Sequence, residues 1–224
     1  MFESLTGIGE YGGTLYFGQL SFKIIFSVSF LLYLLFRLKK GMALNLKESV
    51  LVAFFIFYLL SVIRLVFFPI DVWPVAENRD IFAMVMFNRD YPWTLREIMS
   101  IDLIPFRTIY HTLPLTNDWI HWMFAIRGIV GNFILLFPLA IFIGLLKKDR
   151  MSYKKAFLLG AFSSFLIESG QLMINLLTQW PNRLVTIDDV LLNSLGFLLG
   201  YIVVDKYGEF FHHSIDKLLD WIRK

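Results

Sequence analysis

The chain has 224 residues, of which 57% are hydrophobic, 17% aromatic and only 17% charged, and its mean hydropathy is +0.64. An ordinary soluble domain carries roughly a quarter charged residues, so this composition excludes a soluble enzyme, a secreted disulfide scaffold and a disordered tail. Without cysteine there is no disulfide, thiolate zinc site or cysteine nucleophile, and the net charge of +3 fits basic loops beside a membrane as well as it fits nucleic acid.

The leader, residues 1 to 19, is Gly-rich with Glu3 and Glu10 and lacks a basic n-region, so it reads as a retained extracellular tail rather than a signal peptide. Gly7, Gly9 and Gly12 form a GxGxxG string, but no strand precedes it and no βαβ unit follows, which makes it a flexible tail. A first apolar span covers about residues 20 to 36 and stops at Arg37, Lys39 and Lys40. A second, about 49 to 68, ends at Pro69 and contains Arg64. Residues 70 to 125 form a long external loop rich in Trp, Phe and Arg, too polar to span and expected to pack on the bundle as a lid or half-buried hairpin.

A third span, about 126 to 146, is bounded by Lys147 and Lys148; Pro138 deprives the Ile134 carbonyl of its donor and predicts a kink. The fourth covers about 153 to 177. The fifth, about 189 to 204, is shorter than the ~20 residues that usually cross the hydrocarbon. Within it, Gly196 and Gly200 are spaced to let backbones approach. Beyond it, residues 205 to 224 place Ile215, Leu218, Leu219 and Ile222 at helical spacing, which predicts an amphipathic cytoplasmic tail lying on the membrane surface. The expected class is all-α: one polytopic bundle over residues 20 to 204 with about five transmembrane helices.

Lys and Arg set the orientation. Arg37, Lys39, Lys40 and Lys47 fall between spans one and two, and Lys147, Lys148, Arg150, Lys154 and Lys155 between spans three and four, so both loops should be cytoplasmic. The tail with Lys206, Lys217, Arg223 and Lys224 agrees, giving an outside N-terminus and an inside C-terminus.

Polar side chains within spans are costly unless they face protein or a water-filled cavity. Ser164, Glu168, Gln171 and Asn175 form one stripe of span four; Asp189 and Asn193 repeat the spacing in span five. Span three adds Arg127 and Asn132, and span two adds Arg64. All fall in the outer half of the membrane under this orientation, where loop residues Asp102, Arg107, His111, Arg183 and Asp188 approach them. The candidate ligand-binding set is therefore Arg64, Asp102, Arg107, Arg127, Asn132, Glu168, Gln171, Arg183, Asp188, Asp189 and Asn193. Structural ion pairs and interhelical hydrogen bonds are the competing explanation.

His111 and His121 lack zincin spacing, and His212 and His213 lie on the other side, so no metal site is expected. No GxSxG elbow or P-loop is present and no cofactor is implied. Glu168 and Asp188 could act as acid and base if burial separated their proton affinities.

Four strings carry a resemblance: Asp102-Leu-Ile-Pro-Phe106, Gly131-Asn-Phe-Ile-Leu-Leu-Phe-Pro-Leu139, Glu168-Ser-Gly-Gln171, and Arg183-Leu-Val-Thr-Ile-Asp-Asp-Val-Leu-Leu-Asn193 followed by Gly196 and Gly200. In order and spacing, over about residues 101 to 204, the chain resembles the VanZ family. Asp102 stands where that family usually has Asn, Ala140 where it has Gly, and Thr186 where an acidic residue is often found. The resemblance implies a bacterial plasma-membrane protein associated with low-level resistance to teicoplanin and related lipoglycopeptides.

Residues and resemblance together lead us to expect an outer cavity that binds an anionic amphiphile, either the drug's acyl-bearing end or a lipid-linked wall precursor. Arg127 and Arg183 would grip phosphate or carboxylate, and Glu168, Gln171, Asp189 and Asn193 would orient them or bond a sugar or peptide. Two other classes stay open. One is a hydrolase or transferase acting on an outer-leaflet lipid with Glu168 or Asp188 as base; the other is a structural partner of wall-synthesis proteins using the aromatic loop.

Overall fold

The computed structural model describes residues 12 to 222 except 43–44, 74, 89, 113–118 and 148–149. Glu3, Glu10, Gly7, Gly9, Lys148, Arg223, Lys224 and the His121 side chain, all used above, lie outside the described residues. In chain order the elements are β1 (Gly13–Leu15), α1 (Gln19–Lys39), α2 (Leu46–Phe67), β2 (Ile70–Val72), α3 (Ala76–Met86), α4 (Leu95–Met99), β3 (Ile101–Asp102), α5 (Arg107–Thr112), α6 (Trp119–Leu135), α7 (Phe137–Leu146), α8 (Tyr153–Thr178), β4 (Val185–Thr186) and α9 (Ile187–Ile222).

Among the described residues, five helical segments are long and apolar enough to cross a membrane: Gln19–Lys39, Leu46–Phe67, Ile126–Leu146, Tyr153–Thr178 and Ile187–Trp221. The chain is an all-α multi-pass bundle. Its helices start and stop where local chemistry directs. At the end of α1, Gly41 adopts φ +64°, and the Met42 and Gly41 N–H groups donate to the Arg37 and Leu38 carbonyls, a Schellman closure. Asn45 then caps α2 by accepting from the Lys47 N–H at 2.9 Å, and Ser152 caps α8 by accepting from Lys155.

The centre of the bundle is α9, packed against α6, α7 and α8, with the α1/α2 pair attached mainly through α2. The core consists of Leu136, Ala140, Ala156, Phe197, Tyr201 and Val204. Small residues make that closeness possible. A Cβ at Gly196 would overlap the Phe133 carbonyl oxygen, one at Gly200 the Phe137 carbonyl oxygen, and one at Gly160 would lie 2.7 Å from the Phe197 Cβ. Lipid tails exert no hydrophobic drive between helices, so such contact rests on dispersion at short range.

Span three is interrupted at Leu136, between α6 and α7. Pro138 supplies no N–H to the preceding turn, and the Tyr58 hydroxyl donates to the Leu135 carbonyl at 2.6 Å, so a neighbouring helix satisfies backbone at the break.

Two expectations change. Residues 13 to 15 are not a flexible tail: β1 pairs antiparallel with β2, Gly13 opposite Val72 and Leu15 opposite Ile70. The Thr14 hydroxyl donates to Asp71 at 2.8 Å, and Gly12, at φ +90°, sits where a Cβ would strike the Trp73 ring. The amphipathic tail is not a separate surface helix either, because it continues span five within the 36 residues of α9. At 1.5 Å per residue that helix is about 54 Å long, well beyond the ~30 Å hydrocarbon. Its end is tied to the first turn of α2 by a 2.7 Å bridge between Lys47 and Asp216.

The long connection after α2 packs on one end of the bundle. Trp73 lies 5.2 Å from the Trp180 ring, with Phe82, Phe87 and Trp93 completing the cluster. Parallel pairing of β3 with β4 sets Ile101 beside Val185 and Asp102 beside Thr186, fixing this connection to the head of α9.

Candidate functional site

The polar residues of α6, α8 and α9 meet at the same end of the bundle as those loop strands. Glu168 and Gln171 are on the second half of α8, Asp189 and Asn193 in the first turns of α9, and Arg127 and Asn132 on α6. Arg183 enters from the turn between α8 and α9. These seven side chains, with Leu65, Val66, Gly128, Gly131, Leu135 and Ile167, line one chamber of about 430 Å³.

Its floor is rich in acceptors. Glu168 is buried and accepts the Thr186 N–H at 3.1 Å. Asp189 accepts from the Asn132 amide, and its own N–H donates to the Thr186 hydroxyl at 3.0 Å. Asn193 is 1% exposed and donates to Ser164 at 2.8 Å, while its Oδ1 has no partner among the described residues. Gln171 donates to the Val66 carbonyl at 3.2 Å, and its buried Oε1 is likewise unpartnered. An orphaned buried acceptor costs about 1–3 kcal/mol, so both oxygens favour whatever brings donors into the chamber.

The cationic side differs. Arg127 is exposed and makes no hydrogen bond or ion pair with the described residues. Arg183 is half-buried; its Nε–H donates to the Val66 carbonyl at 3.1 Å and its Nη2 to the Pro69 carbonyl at 3.4 Å. Burial pushes the Arg183 guanidinium below its ordinary pKa, and nearby Asp71 partly offsets this. Neither arginine is held by Glu168 or Asp189 in an ion pair; carbonyl oxygens position Arg183 instead.

Four members of the sequence-derived set lie elsewhere. Asp188 is 1% exposed and accepts from the Phe106 N–H at 2.5 Å and the Ile109 N–H at 3.2 Å, so it joins the start of α5 to α9. Phe106 sits at φ +65°, a conformation costing a non-glycine residue roughly 1–2 kcal/mol, which the Asp188 bond helps to hold. Asp102 bridges Arg107 at 2.7 Å and accepts the Ile104 N–H at 3.0 Å; hydrogen bonding from Arg107 first, then from the Ile104 backbone, holds its carboxyl below the usual range. Arg64 faces a separate groove between α1 and α2. The loop residue His111 is exposed on α5.

The candidate ligand-binding set omits two positioning residues, Asn175 of the span-four stripe and Asn182. Asn175, fully buried, donates to the Arg183 carbonyl at 2.7 Å and accepts the Arg183 N–H at 3.0 Å, clamping the backbone of the chamber's arginine. Asn182 accepts the Asp71 N–H at 2.6 Å and donates to the Asp71 carbonyl at 3.1 Å. The signal for Asn175 was its place on the stripe with Glu168 and Gln171; Asn182, in a polar turn, offered none. Lys23, inside span one, was passed over although a charge within a span is itself a signal.

A search of the curated proteins finds no match, and a search of the solved structures finds none. The family model described as VanZ/LLP1 matches residues 55–207, about two thirds of the chain, from the middle of α2 into the last part of α9. That interval contains every residue of the chamber and the four strings that carried the resemblance, and the chain belongs to the VanZ/LLP1 family.

Proposed function

We propose that the chamber receives the headgroup of an anionic amphiphile at the outer face of the bacterial plasma membrane, with the N-terminus outside and the C-terminus inside. The observation that carries this is the meeting, in one cavity, of two guanidiniums that form no ion pair among the described residues and two buried acceptors without a partner among them. Arg127 and Arg183 take the phosphate or carboxylate, for which a guanidinium fork offers two donors. Gln171 Oε1, Asn193 Oδ1 and the carboxylates of Glu168 and Asp189 accept from hydroxyl or amine groups behind it. A lipid-linked wall precursor or the acyl-bearing end of a lipoglycopeptide carries both kinds of group, and sequestering either near the outer leaflet would yield low-level teicoplanin resistance.

A lipid hydrolase or transferase is the alternative, favoured by one observation: Glu168 and Asp189 line the same cavity. Glu168 is then the base; Asp188 is engaged by two backbone N–H groups and does not line the chamber.

The test is purified protein in nanodiscs, given teicoplanin or a lipid-linked precursor, as wild type, Arg183→Lys and Glu168→Gln. Binding without chemical change, weakened at least tenfold by Arg183→Lys, supports the binder. Conversion abolished by Glu168→Gln replaces it with the enzyme. Binding unaffected by either substitution refutes the assignment of the chamber.

A further inference from the structure

A second cavity, outside the chamber, joins a cationic rim to an aromatic wall. It lies between the start of α1 and the end of α2, has a volume of about 890 Å³, and its apolar lining includes Phe17, Phe22, Phe26, Phe57, Leu65 and Phe68. Phe17 stacks on Phe68 at 5.5 Å and Phe22 meets Phe57 edge-on at 5.3 Å, so the wall is braced by its own rings.

Lys23 and Arg64 line the same groove, and no aspartate or glutamate among the described residues does. Both cations are exposed, and neither side chain has a hydrogen bond or ion pair with the described residues. Lys23 lies about one turn after the start of α1 and Arg64 about one turn before the end of α2, so these antiparallel helices bring both charges to one level of the bundle. Two cations near the end of a transmembrane pair reach the headgroup layer by extending their stems. Further into the helix pair from the two cations lie Phe26 and Phe57 of the phenylalanine wall.

We propose that this groove binds an anionic phospholipid, its phosphate held between Lys23 and Arg64 and one acyl chain laid along Phe22, Phe26 and Phe57. Charge complementarity selects the lipid: the rim offers two positive charges without a counter-charge among the described residues, while an unspecific lipid ring would need only the apolar wall. The groove shares Leu65 with the chamber but none of its charged residues, and the inference does not depend on what the chamber binds.

The experiment compares retention of spin-labelled phosphatidylglycerol and phosphatidylcholine by the full chain in nanodiscs. Wild type should prefer phosphatidylglycerol, at roughly fivefold per cation engaged, and rising salt should erode the preference. Lys23→Gln/Arg64→Gln should reduce the ratio to near one, whereas Arg127→Gln/Arg183→Gln should retain it, separating the groove from the chamber. Equal retention of both lipids by wild type, an annular lipid only, overturns the proposal. So does a preference that survives Lys23→Gln/Arg64→Gln, one that disappears only with the chamber arginines, or one indifferent to salt should the double variant not fold.

Discussion

The Thr186 N–H donates to the buried Glu168 carboxylate at 3.1 Å, joining β4 to the second half of α8. The same Thr186 accepts the Asp189 N–H through its hydroxyl, so one residue bonds the Glu168 carboxylate and the backbone that carries Asp189. Removing the carboxylate strands the Thr186 N–H at a site 2% exposed. Glu168→Ala should therefore cost about 1–3 kcal/mol, and Glu168→Gln, which keeps an acceptor, distinctly less. Thermal unfolding in detergent ranks the two; equal losses would mean that the bond contributes nothing.

Gly196 and Gly131 should respond oppositely to alanine. A Cβ at 196 runs into the Phe133 carbonyl, a backbone group that cannot swing away, and the expected loss is roughly 1–3 kcal/mol. A Cβ at 131 meets nothing within 4 Å in a helix interior, where the substitution should gain roughly 0.5–1 kcal/mol. Melting temperatures of the two variants read the contrast directly.

Tyr58 tests the break in span three. Tyr58→Phe keeps the ring contact with Phe142 at 5.7 Å but deletes the donor to Leu135. A loss of about 0.5–1.5 kcal/mol is expected, with faster hydrogen exchange around residues 134 to 139. Unchanged exchange there would show that the Tyr58 bond does not hold the break.

Acid should loosen the loop held by Asp102. Its pKa is lowered in the folded chain, so its stabilising contribution is complete above the ordinary aspartate value of about 3.9 and is lost as pH falls through the depressed folded value. Hydrogen exchange of residues 101 to 109 should accelerate over that acidic window in wild type. Asp102→Asn should exchange faster at neutral pH and lack this step, while an identical acid step in the variant would assign it to another group.

The bundle was largely legible because crossing about 30 Å of hydrocarbon imposes long apolar runs, and Arg37 and Lys147 mark where two of them end. The length of α9 was hidden: apolar density falls after Val204, yet the helix runs on to Ile222, and the bridge between Lys47 and Asp216 ties it to the start of α2. In the site, the 3.6-residue stripe brought Glu168 and Gln171 to one face, and spacing did the same for Asp189 and Asn193. Helix periodicity cannot tell which loop residue reaches that face. Asp188 is adjacent to Asp189 but points to the backbone of Phe106, and Asp102 is consumed by Arg107. Arg64 follows the face of α2 turned toward α1, and that choice depends on packing.

The most direct measurement of the central claim is a structure of the protein in nanodiscs loaded with a lipid-linked precursor. Density is expected for an anionic group within hydrogen-bond reach of both Arg127 and Arg183, with polar density reaching Gln171 Oε1 and Asn193 Oδ1. A vacant chamber at saturating precursor, or density confined to the outer surface of the helices, would contradict it.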